Sequence, residues 1–289
     1  MIHADEILDR IKPGDRVLDV GGWASPFNRA DWVIDLQPYE TRGYYGKVGL
    51  PASQGGEREY FTRDTWITRD LCDREPWPFP DKWFDFSICS HTLEDIRDPL
   101  FVCSELIRVS KRGYIETPSR LAETCRGWFH ERIAGLSHHH WLIDYGPNRL
   151  DFTMKLHVIH ADRSYTLPPR LYRDLTVEEQ TSWMFWEDRF DFAEKVVYGR
   201  DMMREFLGGF VAKVAADPRF QGLAPDDPFE DQVLREQLEA TQAELSACRD
   251  RLAQYEELNP LVLGLARRLR GVSRLIPPLA RLSRSRRSA

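Results

Sequence analysis

Short apolar runs alternate with amphipathic stretches over residues 1–118, a pattern typical of βαβ units on a parallel sheet. The apolar runs that predict buried strands are Arg16–Val20, Trp32–Asp35, Phe84–Cys89 and Gly113–Thr117. Between the last two runs, the apolar residues of Pro99–Ser110 recur at helical spacing, so we predict a helix there. The pattern indicates an α/β fold with a doubly wound, Rossmann-like sheet.

The regular alternation stops near residue 119, and the chain up to residue 218 is rich in aromatic side chains. We expect strands near Leu150–Lys155 and Ala193–Tyr198, and we assign residues 1–220 to one domain. The tryptophans of this region form either a platform for a sugar ring or apolar acceptor, or part of the core. They are Trp128, Trp141, Trp183 and Trp186.

The composition changes again after a linker at residues 221–229. Apolar or small residues then recur at alternating spacings of four and three, which is a heptad register. They are Leu234, Leu238, Thr241, Leu245, Cys248, Leu252 and Tyr255. We therefore predict a coiled coil over residues 230–258 and a homo-oligomer assembled through it.

Basic charge is concentrated in a tail at residues 259–289. From Pro260 onward there are eight arginines and no acidic residue, although the formal net charge of the whole chain is −6. Leu261, Leu265 and Leu269 share one helical face, with arginines roughly opposite. Such a helix suits an anionic membrane surface, and a solvated tail is the alternative. Nucleic acid is disfavoured, because leucine rather than aromatic residues or glycine separates the arginines.

The cysteines and the N-terminal residues indicate the compartment. The five cysteines are scattered without a CxxC pair, which argues against a zinc module or a disulfide framework. The first ten residues, MIHADEILDR, hold no apolar stretch of the kind found in signal peptides. We predict a cytoplasmic protein, placed by its tail at the inner face of the membrane.

The first predicted strand runs into a glycine turn, Asp19-Val20-Gly21-Gly22, where the backbone can turn tightly and approach a ligand. Strand ends of this kind line the ligand crevice of an open parallel sheet. Asp35 closes the second predicted strand, and a carboxylate there can accept hydrogen bonds from both hydroxyls of a ribose. A cofactor that contains a ribose is one interpretation, and a turn that binds nothing is the other.

Three later segments add to this turn: Pro76–Asp85 (PWPFPDKWFD), Ser90–Pro99 (SHTLEDIRDP) and Arg108–Ser119 (RVSKRGYIETPS). Together with VLDVGG and SPF, they occur in the same order as in the class I S-adenosylmethionine-dependent methyltransferases, and residues 15–119 resemble that family. Each segment alone is weak, whereas the ordered set is specific. The resemblance implies S-adenosylmethionine as the cofactor and methyl transfer as the activity.

The resemblance also implies a role for each residue that matches. Those assigned to the cofactor are Asp19, Gly21, Gly22, Trp23, Asp35, Asp70, Leu71, Ser90 and His91. The two glycines pass beneath its methionine part, Asp35 binds the ribose, and Asp70 with the backbone of Leu71 meets the adenine. Ser90 and His91 lie near the sulfonium.

Two residues depart from the family's pattern. Trp23 stands where the family has a small residue, so it either covers the cofactor or crowds it. Asp95 stands where the family usually has histidine. A nicotinamide enzyme is the competing Rossmann-like function, but its G-x-G-x-x-G fingerprint is replaced by GG-x-x-SP, and no Tyr-x-x-x-Lys pair occurs.

Two histidines are predicted to be catalytic, because a hydroxyl acceptor needs a base. They are His91 and His139, and His139-His140-Trp141 matches a His-x-Trp segment that follows GYIExPS in the family. We expect His139 to be a base or a substrate ligand, with a histidine at the surface or core edge as the alternative. No metal site is predicted, because consecutive histidines do not easily converge on one ion.

The sequence leaves two hypotheses of different classes. The first is an S-adenosylmethionine-dependent methyltransferase that O-methylates a sugar hydroxyl of a membrane-associated or lipid-linked glycan. The second is a catalytically silent methyltransferase fold that tethers partners through its coiled coil and tail. Asp35 and Asp70 favour the first, since a silent relative would be free to lose them.

Overall fold

The computed structural model describes residues 1–220 and 241–253. Its strands are β1 Val17–Val20, β2 Trp32–Asp35, β3 Trp66–Thr68, β4 Phe86–Ser90, β5 Arg112–Pro118, β6 Trp141–Gly146, β7 Arg149–Met154, β8 Thr181–Glu187 and β9 Asp191–Glu194. Six of them form a sheet in the order β3-β2-β1-β4-β5-β8, in which β8 is antiparallel to β5 and the others are parallel. This is a Rossmann-like order with its reversal between β1 and β4.

The four strands predicted in the first part of the chain are confirmed as β1, β2, β4 and β5. The strand expected near residues 150–155 is β7, whereas the one expected at 193–198 lies earlier, as β9, and ends at Glu194. β3, β6 and β8 were not predicted. β6, β7 and β9 form a separate sheet of three strands.

The α-helices are α1 Ala4–Arg10, α2 Pro99–Val109, α3 Arg120–Thr124, α4 Val158–Ala161, α5 Pro169–Asp174, α6 Val177–Gln180, α7 Gly199–Met203 and α8 Gly209–Ala215. Among the connections between the parallel strands, α2 provides a helical crossover from β4 to β5. The β1–β2 connection is formed by turns, in contrast to the βαβ alternation expected from the sequence. That connection is short and contains two glycines and Pro26, which disfavour a helix.

The two faces of the large sheet bury different partners. One face, with Leu18, Val20 and Ile115, packs in the same core as α2 and the three-stranded sheet. The opposite face, with Val17 and Val33, packs against α1 and a group of aromatic side chains. The central strand β1 is buried along its whole length, as expected for a parallel strand covered on both faces.

The helix α2 also fixes the segment that resembles the family's proline-rich motif. Asp98 caps the helix by accepting a hydrogen bond from the backbone of Phe101 at 3.1 Å, and Pro99 occupies its first turn. Glu105 accepts a hydrogen bond from the backbone of Trp77 at 2.6 Å, and Arg108 donates to the Phe79 carbonyl at 2.7 Å. The motif therefore anchors the chain before β4.

Residues 241–253 are helical, and each of their side chains is exposed. Leu245 and Leu252, both in the predicted heptad seam, are 53% and 42% exposed. The linker at 221–229, the rest of the predicted coiled coil and the basic tail at 259–289 lie outside the described residues. Within the part of the chain that is described, no helix combines the length and the apolar character needed to cross a membrane.

Candidate active site

The carboxyl ends of β1, β2 and β4 meet at one edge of the large sheet. Because the strand order reverses between β1 and β4, this edge is where an open α/β sheet forms its ligand crevice. Gly21 follows β1, Asp35 ends β2 and His91 follows β4. The structure thus brings together the three strand ends that the sequence assigned to the cofactor.

The glycine turn is tight and is held from inside by Asp19. Gly21 has a φ of 78°, and a Cβ added to it would lie 2.1 Å from Thr92 Oγ1. A Cβ on Gly22 would lie 2.1 Å from Asp19 Oδ2, which also accepts a hydrogen bond from the backbone of Phe27 at 2.8 Å. Burial raises the pKa of Asp19 to about 7 although the Phe27 hydrogen bond opposes the rise. Both positions therefore require glycine.

Asp35 is nearly buried, with 7% of its surface exposed, and it binds the neighbouring backbone. Its Oδ1 accepts from the Gln37 amide at 2.7 Å and its Oδ2 from the Trp23 amide at 3.0 Å. Burial raises the pKa of this carboxyl, while these amide hydrogen bonds act in the opposite direction. Each oxygen keeps a further lone pair, so the carboxylate can accept hydrogen bonds from the hydroxyls of a ribose.

The indole of Trp23 is held by the segment that follows β2. Its Nε1 donates to the Thr41 carbonyl at 2.9 Å, and the ring stacks on Tyr44 with a centroid distance of 5.1 Å. Trp23 therefore forms a wall beside the glycine turn together with residues 39–44. This arrangement explains how a large residue can stand at a position where the family has a small one.

Asp70 lies two residues beyond β3 and is bound on both oxygens. Its Oδ1 accepts from the Cys72 amide at 2.9 Å, and its Oδ2 pairs with Arg97 at 2.7 Å. Burial acts to raise its pKa, but these contacts hold it below the ordinary value. A cavity of about 1050 Å³ opens beside Asp70 toward α2, and Gly21 and Asp35 are not among its lining residues. The neighbouring Leu71 is buried in the core.

On the other side of the crevice, His91 pairs with the fully buried carboxylate of Glu116 on β5. The distance from His91 Nε2 to Glu116 Oε1 is 3.0 Å, and His91 Nδ1 lies 3.5 Å from Glu94 Oε1. Burial disfavours the imidazolium, but the two carboxylates raise the pKa of His91 to about 9. Burial likewise opposes ionisation of Glu116, yet the hydrogen bond from His91 helps to lower its pKa to about 2.

Glu116 accepts hydrogen bonds from further donors besides His91. They are the hydroxyls of Tyr114 and Ser90, at 2.5 and 3.1 Å, and the backbone amide of Ile2 at 2.9 Å. His91 has a φ of 51°, a strained value for a residue with a side chain, and such strain clusters at functional sites. The raised pKa of His91 favours its imidazolium form near neutral pH, and that form is suited to donating hydrogen bonds rather than to taking a proton.

His139 belongs to a second buried network. Its Nδ1 lies 2.6 Å from Glu123 Oε1, and Lys155 Nζ lies 2.6 Å from Glu123 Oε2. Burial acts to lower the pKa of His139, but Glu123 raises it above its ordinary value. When Nδ1 donates to Glu123, Nε2 keeps its lone pair, and Nε2 lies 3.5 Å from Asp95.

Glu94 and Asp95 join the two networks. The Glu94 side chain faces His91, and the Glu94 carbonyl accepts from the His140 amide at 2.7 Å, which places the loop of His139 beside β4. Glu94 Oε2 is buried without a hydrogen-bond partner in the described part of the chain. Burial, together with the charges of Asp95 and Glu94, raises the pKa of Tyr45. The loop of Glu94 and Asp95 thus lies between His91 and His139.

Of the four tryptophans considered for an acceptor platform, Trp128 lies beside His139, with ring centroids 5.8 Å apart, and it stacks on Tyr172 at 5.2 Å. Trp141 and Trp186 are buried in the core, and Trp183 stacks near His3 on another surface. The structure therefore supports a platform at Trp128 alone.

The sequence did not identify Glu116, Glu123 or Lys155 as site residues. The signal for Glu116 was an acidic residue inside an otherwise apolar strand, YIET, since a charge is rarely buried without a partner. Glu123 and Lys155 carry no comparable local signal.

A family model described as "Methionine biosynthesis protein MetW" matches residues 3–128, which is less than half of the chain. A comparison with curated proteins finds no match. The matched range contains the glycine turn, Asp35, Asp70, His91 and Glu116, and ends before His139.

Among solved structures, the chain is similar to a protein described as a methyltransferase in complex with the Haloferax volcanii Trm112 methyltransferase activator. The sequence identity is 17% and the TM-score is 0.28, and the match covers 40% of this chain and 51% of that one. It is also similar to an S-adenosylmethionine-dependent methyltransferase from Aquifex aeolicus, with 22% identity, a TM-score of 0.25, and coverage of 40% and 64%. A third, from Mesorhizobium loti, shares 16% identity, a TM-score of 0.29, and coverage of 53% and 64%. The chain thus spans between half and two thirds of the length of these proteins.

The ordered motifs of residues 15–119, the strand order around β1 and β4, and the family model over residues 3–128 agree with one another. Over residues 3–128 the chain is therefore similar to the family of that model, and its large sheet has a Rossmann-like strand order.

Proposed function

We propose that this protein transfers a methyl group from S-adenosylmethionine to a hydroxyl oxygen of its acceptor. The proposal rests on one observation: Asp35 and the glycine turn lie at the same sheet edge as the loop after β4. That loop contacts the loop that contains His139. The first group suits a ribose-containing cofactor, and the second suits activation of a hydroxyl. When bound, S-adenosylmethionine supplies an electrophilic methyl group.

The protein's own residues have three tasks in this reaction. Asp35 and Asp70 orient the cofactor, and the glycine turn lets its methionine part pass close to the backbone. The imidazolium of His91 donates hydrogen bonds within the crevice. His139, with its tautomer fixed by Glu123, activates the acceptor hydroxyl through Nε2.

The acceptor class we propose is a sugar hydroxyl. Trp128 lies beside His139 and offers an aromatic surface on which the apolar face of a sugar ring can stack, and the unpartnered Glu94 Oε2 offers an acceptor for a further hydroxyl. That the sugar belongs to a membrane-associated or lipid-linked glycan rests on the sequence of residues 259–289 alone.

The test is transfer of a labelled methyl group by the full chain to simple glycosides. We expect labelled product with the parent, and His139→Gln should lower turnover by roughly 10²–10⁴-fold, the range for loss of a general base. Cofactor affinity should stay unchanged in that variant. His140→Gln, an exposed neighbour, is the matched control and should keep full turnover. A folded parent that does not bind S-adenosylmethionine would instead support the silent scaffold.

A further inference from the structure

Three side chains that can ligate metal ions converge in the loops that follow β4 and precede β6. Asp95, His138 and His139 each offer one ligand atom, and these atoms all lie within 4.8 Å of one another. Asp95 Oδ1 is 3.5 Å from His139 Nε2 and 3.7 Å from His138 Nε2. Ligand atoms around a tetrahedral zinc ion with bonds of about 2.1 Å stand about 3.4 Å apart. Two of the three separations therefore already suit one ion.

The carboxylate oxygen of this group has no other partner. Asp95 Oδ1 is itself buried and forms no hydrogen bond within the described residues, although 38% of the Asp95 side chain is exposed. A carboxylate oxygen shielded from water without a donor costs free energy. A cation bound between Asp95 and the two histidines would supply the missing contact.

The surroundings of His139 are those of a metal ligand. A histidine that binds a metal through one nitrogen usually donates its other N–H to a carboxylate, which fixes the ring. Glu123 Oε1 stands 2.6 Å from His139 Nδ1, and Lys155 holds the second oxygen of Glu123. Gly135 lets the loop approach, since a Cβ there would lie 2.3 Å from Glu123 Oε2. His139 Nε2 is thereby aimed at Asp95.

The ligand types indicate the class of ion. Two imidazoles and one carboxylate suit first-row transition metals such as Zn²⁺, whereas Mg²⁺ and Ca²⁺ prefer oxygen ligands. Three protein ligands leave a coordination position open, as in catalytic zinc sites. His138 is 63% exposed, so its ring is free to turn toward the ion.

We propose that Asp95, His138 and His139 bind one divalent transition-metal ion of the zinc class, with an open position for an oxygen of the acceptor. The sequence predicted no metal site because three consecutive histidines do not converge. In the structure, only two of the three histidines belong to the group. His140 is outside it, and Asp95, from another loop, is the third ligand. With the ion bound, His139 Nε2 would be a ligand rather than a base, and the ion would take over the activation of an acceptor hydroxyl at the open position. That use of the site rests on the proposed methyl transfer, whereas the binding of the ion does not.

The test is direct metal binding by the full chain after treatment with a chelator. We expect calorimetry to give one Zn²⁺ per chain, and Co²⁺ to bind with a visible absorption spectrum typical of nitrogen and oxygen ligands. His138→Ala removes an exposed ligand without disturbing the core. It should weaken Zn²⁺ binding by more than the roughly 10–100-fold that loss of an outer-shell partner costs. Asp95→Asn should weaken binding similarly.

His140→Ala is the matched control and should bind Zn²⁺ as the parent does. If the histidine run instead binds metal as a surface tag, His138→Ala and His140→Ala will weaken binding equally and Asp95→Asn will not, which overturns the site. A parent that binds S-adenosylmethionine but neither Zn²⁺ nor Co²⁺ also overturns it and leaves the methyl transfer standing. A parent that binds the ion but not the cofactor supports the metal site and contradicts the proposed function.

Discussion

The two sides of the candidate active site are built from contacts of different range. On the cofactor side, Asp19 binds the Phe27 amide and Asp35 binds the Trp23 amide, at sequence separations of 8 and 12 residues. On the acceptor side, Glu123 binds Lys155 at a separation of 32 residues. The first kind of contact is encoded in short turns and can be found by a motif. The second exists only after the fold has formed.

The two sides also differ in what balances their buried carboxylates. Asp19 and Asp35 are held by backbone amides, which are dipoles that remain when a neighbouring side chain is changed. Glu116 and Glu123 are held mainly by ionisable side chains. Removing one member of the second kind leaves an uncompensated buried charge, so the acceptor side should be far more sensitive to substitution.

The largest expected effect follows from Glu123→Gln. This change leaves the Lys155 ammonium, whose side chain is 1% exposed, without its carboxylate. The free energy of unfolding should fall by about 3–5 kcal/mol, the usual cost of breaking a buried ion pair. Urea denaturation of the parent and the variant measures it.

The double variant Glu123→Leu with Lys155→Met is the control for that result, because it removes both charges and fills a similar volume. Replacement of a buried pair by apolar residues is often close to neutral, so most of the lost stability should return. Turnover should not return, since His139 would still lack the partner that orients it. A double variant as unstable as Glu123→Gln would show that packing, rather than charge, holds this network.

On the cofactor side, Asp35→Asn should act on binding. The amide keeps the shape of the side chain but loses the charge, so S-adenosylmethionine affinity should fall by about 1.5–3 kcal/mol, the range for hydrogen bonds to charged groups. Isothermal calorimetry measures the change.

Asp85→Asn is the matched control for Asp35. Asp85 precedes β4 at the opposite edge of the sheet, where it pairs with Lys111 at 2.7 Å. Its substitution should leave cofactor affinity unaltered. Equal losses in the two variants would mean that general destabilisation, not the ribose contact, explains the effect of Asp35.

Much of the fold could be predicted because its signals are local. The bounds of β2 were predicted to the residue, and α2 begins at the predicted Pro99, since its cap, proline and apolar spacing are all adjacent in sequence. β8 was missed because TSWMFWE has neither clean alternation nor turn residues, and its place is decided by antiparallel pairing with β5. Propensity alone does not determine such an edge strand.

The same division applies to the site. Asp35 and Gly21 could be assigned from strand ends and a glycine turn, whereas Glu123 and Lys155 lie in segments without a motif. His139 was predicted as a site residue, but its Glu123 partner could not be inferred because nothing in the sequence places β7 beside α3. Polar networks of this kind depend on tertiary packing.

A smaller effect should appear in the pH dependence of stability. The pKa of His91 is raised in the folded protein from 6.5 to about 9, so its contribution is fully present below pH 6.5 and is lost as the pH rises through 9. Because 37% of the His91 side chain is exposed, water screens the interaction and we expect a loss of only about 1 kcal/mol. Urea midpoints between pH 6 and pH 9.5 should show this decline in the parent and a flatter profile in His91→Gln. Identical profiles would mean that the His91–Glu116 pair does not contribute.

The smallest effect on the site should come from truncation after Asp226. The predicted coiled coil begins beyond this point, and Leu245 and Leu252 of its predicted seam lie exposed on the described helix. Light scattering should therefore give a lower oligomeric mass for the truncated protein. Its affinity for S-adenosylmethionine should not change, because Asp35, Asp70 and the glycine turn all lie within residues 1–220. Equal masses for the two proteins would contradict the predicted coiled coil. A loss of affinity would show that the crevice depends on assembly. The cofactor side would then not be independent of the rest of the chain.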